Sequence, residues 1–328
     1  MVKISIIIPC YNVENYIQRN IDSLKRQSNK ELEFIFVNDG STDRTLDYIS
    51  DFARTDSRVR IINKKNEGVS SARNDALEVA SGEYIFFLDG DDFLEDEACT
   101  EMYSLIKRSE ADCLIFSKHR YVYSVNEQIV YNWPFAEGVY ESTYLLKKAA
   151  FLPITPKLYK NQVIKKYKIA FDEDLIFGEV FTFFIRFLKC ARKIAVTNSF
   201  VYNYVMRHDS TTHLVDFTKD LEILKTLYRL DVYVSNFPFI DRARCYNRSV
   251  IKLVYSFTFA KYVKNGICNK SAISVLSKLK KNVAFRSRLY DVAFHNFGTK
   301  DQIISFLFLF SSRLSLFFFS TFYRFKSC

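Results

Sequence analysis

Along the first 118 residues, short apolar runs alternate with stretches in which apolar positions return every three or four residues. The runs Lys3 to Ile8, Leu32 to Val37, Arg58 to Ile62, Tyr84 to Leu88 and Asp112 to Ser117 read as strands, because continuous apolar segments of this length suit strands covered on both faces. Helical periodicity lies between them, over Val13 to Lys25, Asp43 to Ala53, Val69 to Ala80 and Asp96 to Lys107. Strand and helix in strict alternation predict right-handed βαβ units, hence an α/β fold with a Rossmann-like, mostly parallel sheet flanked by helices. From residue 119 to about 213 the rhythm breaks. Aromatic-rich extended pieces appear, such as Tyr121-Val122-Tyr123 and Ile129-Val130-Tyr131, with helices near Tyr144 to Phe151 and Phe177 to Lys189 and a strand at Lys193 to Val196. Residues 1–118 and 119–213 are therefore read as two halves of one domain. Residues 214–328 form a C-terminal helical region, with helices over Leu221 to Val234, Arg242 to Lys264 and Ser271 to Asn282.

One segment of that last region departs from ordinary amphipathic patterning. Residues 303–323 are almost wholly apolar and approach the length that crosses a bilayer, yet Arg313 sits near the middle. A charge at the centre of a span is costly, which favours a helix lying in the headgroup region beside Arg324 and Lys326; the alternative is a helix buried against the preceding bundle. The net charge of +10 adds a preference for anionic partners: acidic lipid, a phosphorylated substrate or nucleic acid. No nucleic-acid reading motif accompanies the charge, so nucleic acid is not expected as a partner. Seven scattered cysteines without paired ligand spacing fit a reducing compartment, and the direct entry from Met1-Val2-Lys3 into a strand leaves no room for a leader; both point to the cytoplasm.

The chemistry concentrates where the strands end. Tyr84 to Leu88 stops at Asp89-Gly90-Asp91-Asp92, and ligands of open α/β sheets collect beyond the carboxyl ends of strands. Two carboxylates held that close favour a cation, and hard oxygen donors favour Mg²⁺ or Mn²⁺ shared with phosphate. The same residues also fit an Asp-Gly turn in which Asp92 caps a helix starting near Glu95. After the first strand comes Pro9-Cys10-Tyr11-Asn12, where Tyr11 could stack on a base. After the second comes Asn38-Asp39-Gly40-Ser41-Thr42-Asp43, where Asp39 could accept an imino N–H, although Ser41, Thr42 and Asp43 are also ordinary turn and cap residues. Gly68 marks a turn before the third helix, which carries Arg73, a planar fork suited to phosphate or a base edge.

In this order and spacing, Ser5 to Asn12, Val37 to Asp43, Gly68 through Arg73-Asn74 and Leu88 to Asp92 resemble the family 2 glycosyltransferases, nucleotide-sugar enzymes of the GT-A fold. The resemblance covers roughly residues 1–213. It implies that Pro9, Tyr11 and Asp39 surround uracil or another base, that Arg73 lies near the nucleotide, and that Asp89 and Asp91 hold the ribose and a Mn²⁺ or Mg²⁺ ion on the diphosphate. It also implies inversion at the anomeric carbon, with a carboxylate as general base. Many relatives take that base from Gly-Glu-Asp at a helix start; here the matching residues are Gly178, Glu179 and Val180. A valine takes no proton. Either Glu179 serves, with Asp172 or Asp174 in reserve, or the chain binds a nucleotide sugar without turning it over. The stretch Tyr202 to His213 resembles the segment that closes over the diphosphate, which brings in Arg207 and Ser210 ahead of His208 and His213. The implied partners are a UDP-sugar donor and a saccharide or lipid-linked acceptor of surface-polysaccharide synthesis, at the inner face of the cell membrane. A nucleotidyltransferase is disfavoured, because no Gly-rich, lysine-bearing phosphate loop follows the first strand.

Overall fold

The computed structural model describes residues 2–124, 127–132, 136–147, 156–206, 222–234 and 270–282, with positions 285, 286, 289, 305, 308, 309, 311 and 312. The chain divides into two compact units. The first comprises residues 1–143, 152–174 and 179–207, and the second residues 144–151, 175–178 and 208–328.

The first unit is built on β1 (Ile4–Cys10), whose seven residues are all buried. It is flanked in parallel by β2 (Leu32–Asp39) and β4 (Tyr84–Phe87), with Ile4 opposite both Leu32 and Tyr84, and β3 (Val59–Lys64) extends the parallel run beside β2. Between these strands lie α1 (Glu14–Lys25), α2 (Thr45–Thr55) and α3 (Val69–Val79). Helix α1 buries Ile17, Ile21 and Leu24, the i, i+4, i+7 stripe expected of a helix laid on a sheet. Because β1, β2 and β4 are parallel and in register, the turns after Cys10, Asp39 and Phe87 emerge at one edge.

Beyond β4 the sheet becomes mixed. Its order among the described residues is β3-β2-β1-β4-β9-β6-β10-β5. Strand β9 (Lys157–Lys160) lies antiparallel between β4 and β6 (Cys113–Val122), and β6 pairs in parallel with β10 (Lys193–Val205). The two-residue β5 (Phe93–Leu94), which leaves the acidic turn, pairs with β10; β7 (Gln128–Asn132) pairs with β6, and β8 (Gly138–Glu141) with β10. Helices α4 (Ala98–Ser109), α5 (Ser142–Lys147), α6 (Asn161–Tyr167) and α7 (Glu179–Cys190) complete the series.

Several elements differ from the periodicity reading. Strand β9 and helix α6 escape it because Lys157-Leu158-Tyr159-Lys160 has no apolar run, although its interior position leaves Lys157 only 4% exposed. Strand β10 continues past Val196 to Val205: Thr197, Asn198 and Ser199 break the apolar run, and register shifts between Thr197 and Asn203 absorb the irregularity. Asp92 does not cap a helix near Glu95, since α4 begins at Ala98.

In the second unit, α8 (Ile223–Val234) buries Ile223, Leu227 and Leu230, and α9 (Lys270–Lys281) buries Val275, Leu276 and Leu279. Phe308 is buried against Phe285, with ring centroids 6.1 Å apart, and the Ser312 and Ser277 hydroxyls lie 3.4 Å apart. The helix read over Arg242 to Lys264 and most of 303–323 lie outside the described residues. No helix among the described residues is long and apolar enough to cross a membrane.

One buried group makes stability depend on pH. His119 on β6 is 2% exposed and packs edge-on against Tyr121; burial, helped by the charge of Lys157, lowers its pKa to about 4. The unfolded chain protonates near 6.5, so it gains protons first as the solution is acidified, and folding stability falls between pH 6.5 and 4. A shift of this size corresponds to roughly 3 kcal/mol at most. Urea unfolding of wild type and His119→Phe at pH 7 and pH 4.5 is expected to show a smaller acid loss in the variant.

Candidate active site

The turns after β1 and β2 are tied to one another. Asn12, at φ +50°, donates its backbone N–H to Ser41 Oγ at 3.1 Å and accepts at Oδ1 from the Thr42 N–H at 2.8 Å. The N–H groups of Val13 and Glu14 donate to Thr45 Oγ1 and Asp43 Oδ2. These bonds give the cap-type residues of the second turn a use that spacing did not show: they seat the start of α1. Pro9 is buried in β1 opposite Val37, while Tyr11 stands 50% exposed at the edge, where a planar ligand could lie on it.

Asp39 is 3% exposed, and both of its oxygens are engaged: Oδ1 accepts from the Glu67 N–H at 2.9 Å and Oδ2 from the Gly68 N–H at 2.8 Å. It thereby anchors the loop that opens α3. Gly68 sits at φ +92°, and Gly40 at φ +71° approaches so closely that an added Cβ would lie 2.6 Å from the Asn66 nitrogen. Each carboxylate oxygen can accept more than one bond, so Asp39 retains capacity toward a ligand.

The acidic turn is held from three sides. Asn20 of α1, 1% exposed, donates Nδ2 to the Asp89 and Asp92 carbonyls at 3.1 and 2.9 Å. Gly90 lies against β1, where a Cβ would come within 2.8 Å of Cys10 Sγ, so only glycine fits. Asp92, 1% exposed, accepts from the Val205 N–H at 2.7 Å and from the Tyr202 hydroxyl. Burial, reinforced by the charges of Asp91 and Asp89, pushes its carboxyl well above the ordinary carboxylate range. Asp92 therefore joins the turn to β10, a task its place in the motif did not reveal.

Asp89 is 37% exposed and accepts at Oδ1 from Arg73 Nη2 at 2.9 Å; its second oxygen has no hydrogen-bond partner among the described residues. The same guanidinium donates from Nη1 to Glu179 Oε1 at 3.0 Å. Arg73 is only 6% exposed and lies over the Phe171 ring, 5.2 Å from its centroid. Burial works against its charge, but Asp89 and Glu179 outweigh that and keep it ionised. Its neighbour Asn74 holds the chain beneath: Nδ2 donates to the Phe171 carbonyl and to Glu173, and Oδ1 accepts from the Phe171 N–H at 2.8 Å. The pair Arg73-Asn74 thus joins residues separated by about a hundred positions in sequence.

The donor set at the turn is chemically suited to a divalent ion. Asp91 is partly exposed beside Asp89, and both contribute to the field that raises Asp92, a local excess of negative charge that a cation relieves. Among the described residues no third acidic, His or Cys side chain completes a metal cluster. An ion here would fill its shell with water and ligand oxygens, as Mg²⁺ and Mn²⁺ do. Val180, partly buried, follows Glu179 at the start of α7. Arg207, Ser210, His208 and His213 lie outside the described residues.

Comparison with known proteins bears on the family and the fold. The family profile described as Glycosyl transferase family 2 matches residues 5–168. "Uncharacterized glycosyltransferase EpsJ" of Bacillus subtilis (strain 168) is 33% identical over 220 residues, covering 64% of this chain and 63% of EpsJ. "Poly(ribitol-phosphate) beta-N-acetylglucosaminyltransferase TarS" of Staphylococcus aureus (strain Mu50) is 29% identical over 212 residues, 64% of this chain and 36% of TarS. The matched stretch thus spans less than two thirds of the first relative and about a third of the second. Residues 1–349 of S. aureus TarS, solved with UDP-GlcNAc, superpose with a TM-score of 0.75 at 22% identity, over 98% of this chain and 91% of that one. The mannosyltransferase PcManGT of Pyrobaculum calidifontis, solved with GDP-Man and Mn²⁺, gives 0.55 at 11% identity over 97% and 86%. Both share the fold.

Proposed function

Because the chain belongs to glycosyl transferase family 2, we propose that it transfers a sugar from a nucleoside-diphosphate sugar to a saccharide or lipid-linked acceptor, with inversion at the anomeric carbon. The observation that carries this reading is the convergence of Tyr11, Asp39, Arg73, Asp89, Asp91 and Glu179 at one sheet edge. In this reading the base lies on Tyr11 beside Asp39, with Pro9 shaping the pocket floor. Arg73 borders the nucleotide, and Asp89 meets the ribose and, with Asp91, a Mn²⁺ or Mg²⁺ ion. That ion, when bound, offsets the negative charge developing on the departing diphosphate.

Glu179 takes the proton of the acceptor hydroxyl as its oxygen bonds to the anomeric carbon; the bond to the diphosphate breaks, and its electron pair leaves with the nucleotide. A single displacement needs no covalent sugar–enzyme intermediate. Arg207 and Ser210 complete the diphosphate site. UDP is the favoured nucleotide, since TarS has been solved with UDP-GlcNAc. A polymeric acceptor is in keeping with TarS, a relative named poly(ribitol-phosphate) beta-N-acetylglucosaminyltransferase. Peripheral attachment to the inner face of the cell membrane rests on residues 303–323 and the charge of +10. A second reading, a nucleotide-sugar-binding protein without turnover, is favoured by Val180, which occupies the position where the family resemblance implies a carboxylate base in many members.

Two measurements test these readings. Thermal shift against UDP, GDP and TDP sugars with Mn²⁺ is expected to raise the melting temperature for the true donor, because a ligand bound only to the folded chain stabilises it. Asp91→Ala is expected to abolish the ion-dependent part of that shift and to slow transfer on the order of 10²-fold. Radiolabelled transfer then separates the base assignments. Glu179→Gln is expected to lose turnover, and full retention would remove Glu179 from the reaction; a rise in turnover with Val180→Asp would instead identify an impaired native site.

A further inference from the structure

The two carboxylates that the proposed reaction uses for different steps are bonded to one guanidinium. Arg73 gives Nη2 to Asp89 and Nη1 to Glu179, while its Nε is buried with no hydrogen-bond partner among the described residues. With 6% exposure, it is largely shielded from solvent. Its orientation is thus a balance between two acceptors on opposite ends of the fork.

Removing one acceptor has a definite geometric consequence. Without Glu179, Nη1 and Nε would both be buried donors lacking an acceptor, a costly state. The nearest remedy is the paired geometry that arginine prefers with a carboxylate, two parallel N–H bonds onto both oxygens of Asp89. That closure would consume the second Asp89 oxygen, which the intact pairing leaves without a hydrogen-bond partner among the described residues. Phe171 and Asn74 reinforce the intact arrangement, the ring beneath the guanidinium and the amide clamping Phe171 through both its N–H and carbonyl.

We propose that Glu179 is also a positioning residue for the donor: by holding Arg73 Nη1, it restricts Arg73 to one oxygen of Asp89 and keeps the other available to the nucleotide and its ion. This rests on the nucleotide-sugar reading for the identity of the ligand. It adds what a general base would not do, because a base acts on the acceptor and leaves donor affinity unchanged.

The test is UDP binding by calorimetry with Mn²⁺, without acceptor or turnover, on the full chain. Glu179→Ala is expected to weaken UDP about tenfold or more, the scale of a lost buried bond to a charged group. Glu179→Gln, whose amide oxygen still accepts from Arg73, is expected to retain most of the affinity while losing transfer. Arg73→Met combined with Glu179→Ala is expected to bind no more weakly than Arg73→Met alone, since without the guanidinium Glu179 has nothing to hold. Melting of each unliganded variant confirms folding. Equal UDP affinity in wild type, Glu179→Ala and Glu179→Gln overturns this inference alone, as do additive losses in the double variant. A wild type that binds no nucleotide overturns the donor reading and this inference together.

Discussion

A buried guanidinium shared by two carboxylates is the constraint on which the candidate site depends. Arg73 is reached by Asp89 from the end of β4 and by Glu179 from the start of α7, at sequence separations of 16 and 106. A buried charge deprived of its partners costs several kcal/mol, whereas exposed pairs such as Arg54–Asp51 contribute a fraction of one. This contact therefore outranks the surface ion pairs in setting where Glu179 stands relative to the acidic turn. Asn74 supports it one residue away, with a neutral clamp on Phe171 that holds the ring under the guanidinium.

The acidic turn is fixed by a different means. Asn20 satisfies two of its carbonyls, Gly90 lets it press against Cys10, and Asp92 ties it to the end of β10. Three carboxylates in four positions thus divide their work. Asp92 is spent inward on the fold, Asp89 is split between Arg73 and the edge, and Asp91 stands partly exposed beside them. Burial first, and then the neighbouring charges of Asp91 and Asp89, raise the Asp92 carboxyl, so holding three carboxyl groups here is unfavourable by itself. Such unfavourable local arrangements are typical of sites that await an opposite charge.

Legibility in the sequence follows from the range of the interaction. Continuous apolar runs made β1, β2 and β4 readable, and their parallel register placed Tyr11, Asp39 and the acidic turn at one edge. Strand β9 was not readable, because lysines at both ends hide a strand whose burial comes from the neighbours β4 and β6. The place of Arg73 on α3 marks it as a site residue, while its position between Asp89 and Glu179 is visible only in the structure. Asp92 resembles a helix cap, since a local cap is the nearest use for such a residue, but the donors it accepts from, the Tyr202 hydroxyl and the Val205 N–H, lie on β10.

What the sequence by itself determined is the alternation of β1 to β4 with the helices between them, the sheet edge at which the candidate site residues gather and the family, because each is written in patterns a few residues long. Tertiary structure alone decided that Arg73 joins Asp89 to Glu179, that Asp39 secures the loop before α3 and that Asp92 faces inward. These pairings cross the sheet between distant segments, and a side chain's partner is set by the packing that brings those segments together, which no local pattern records.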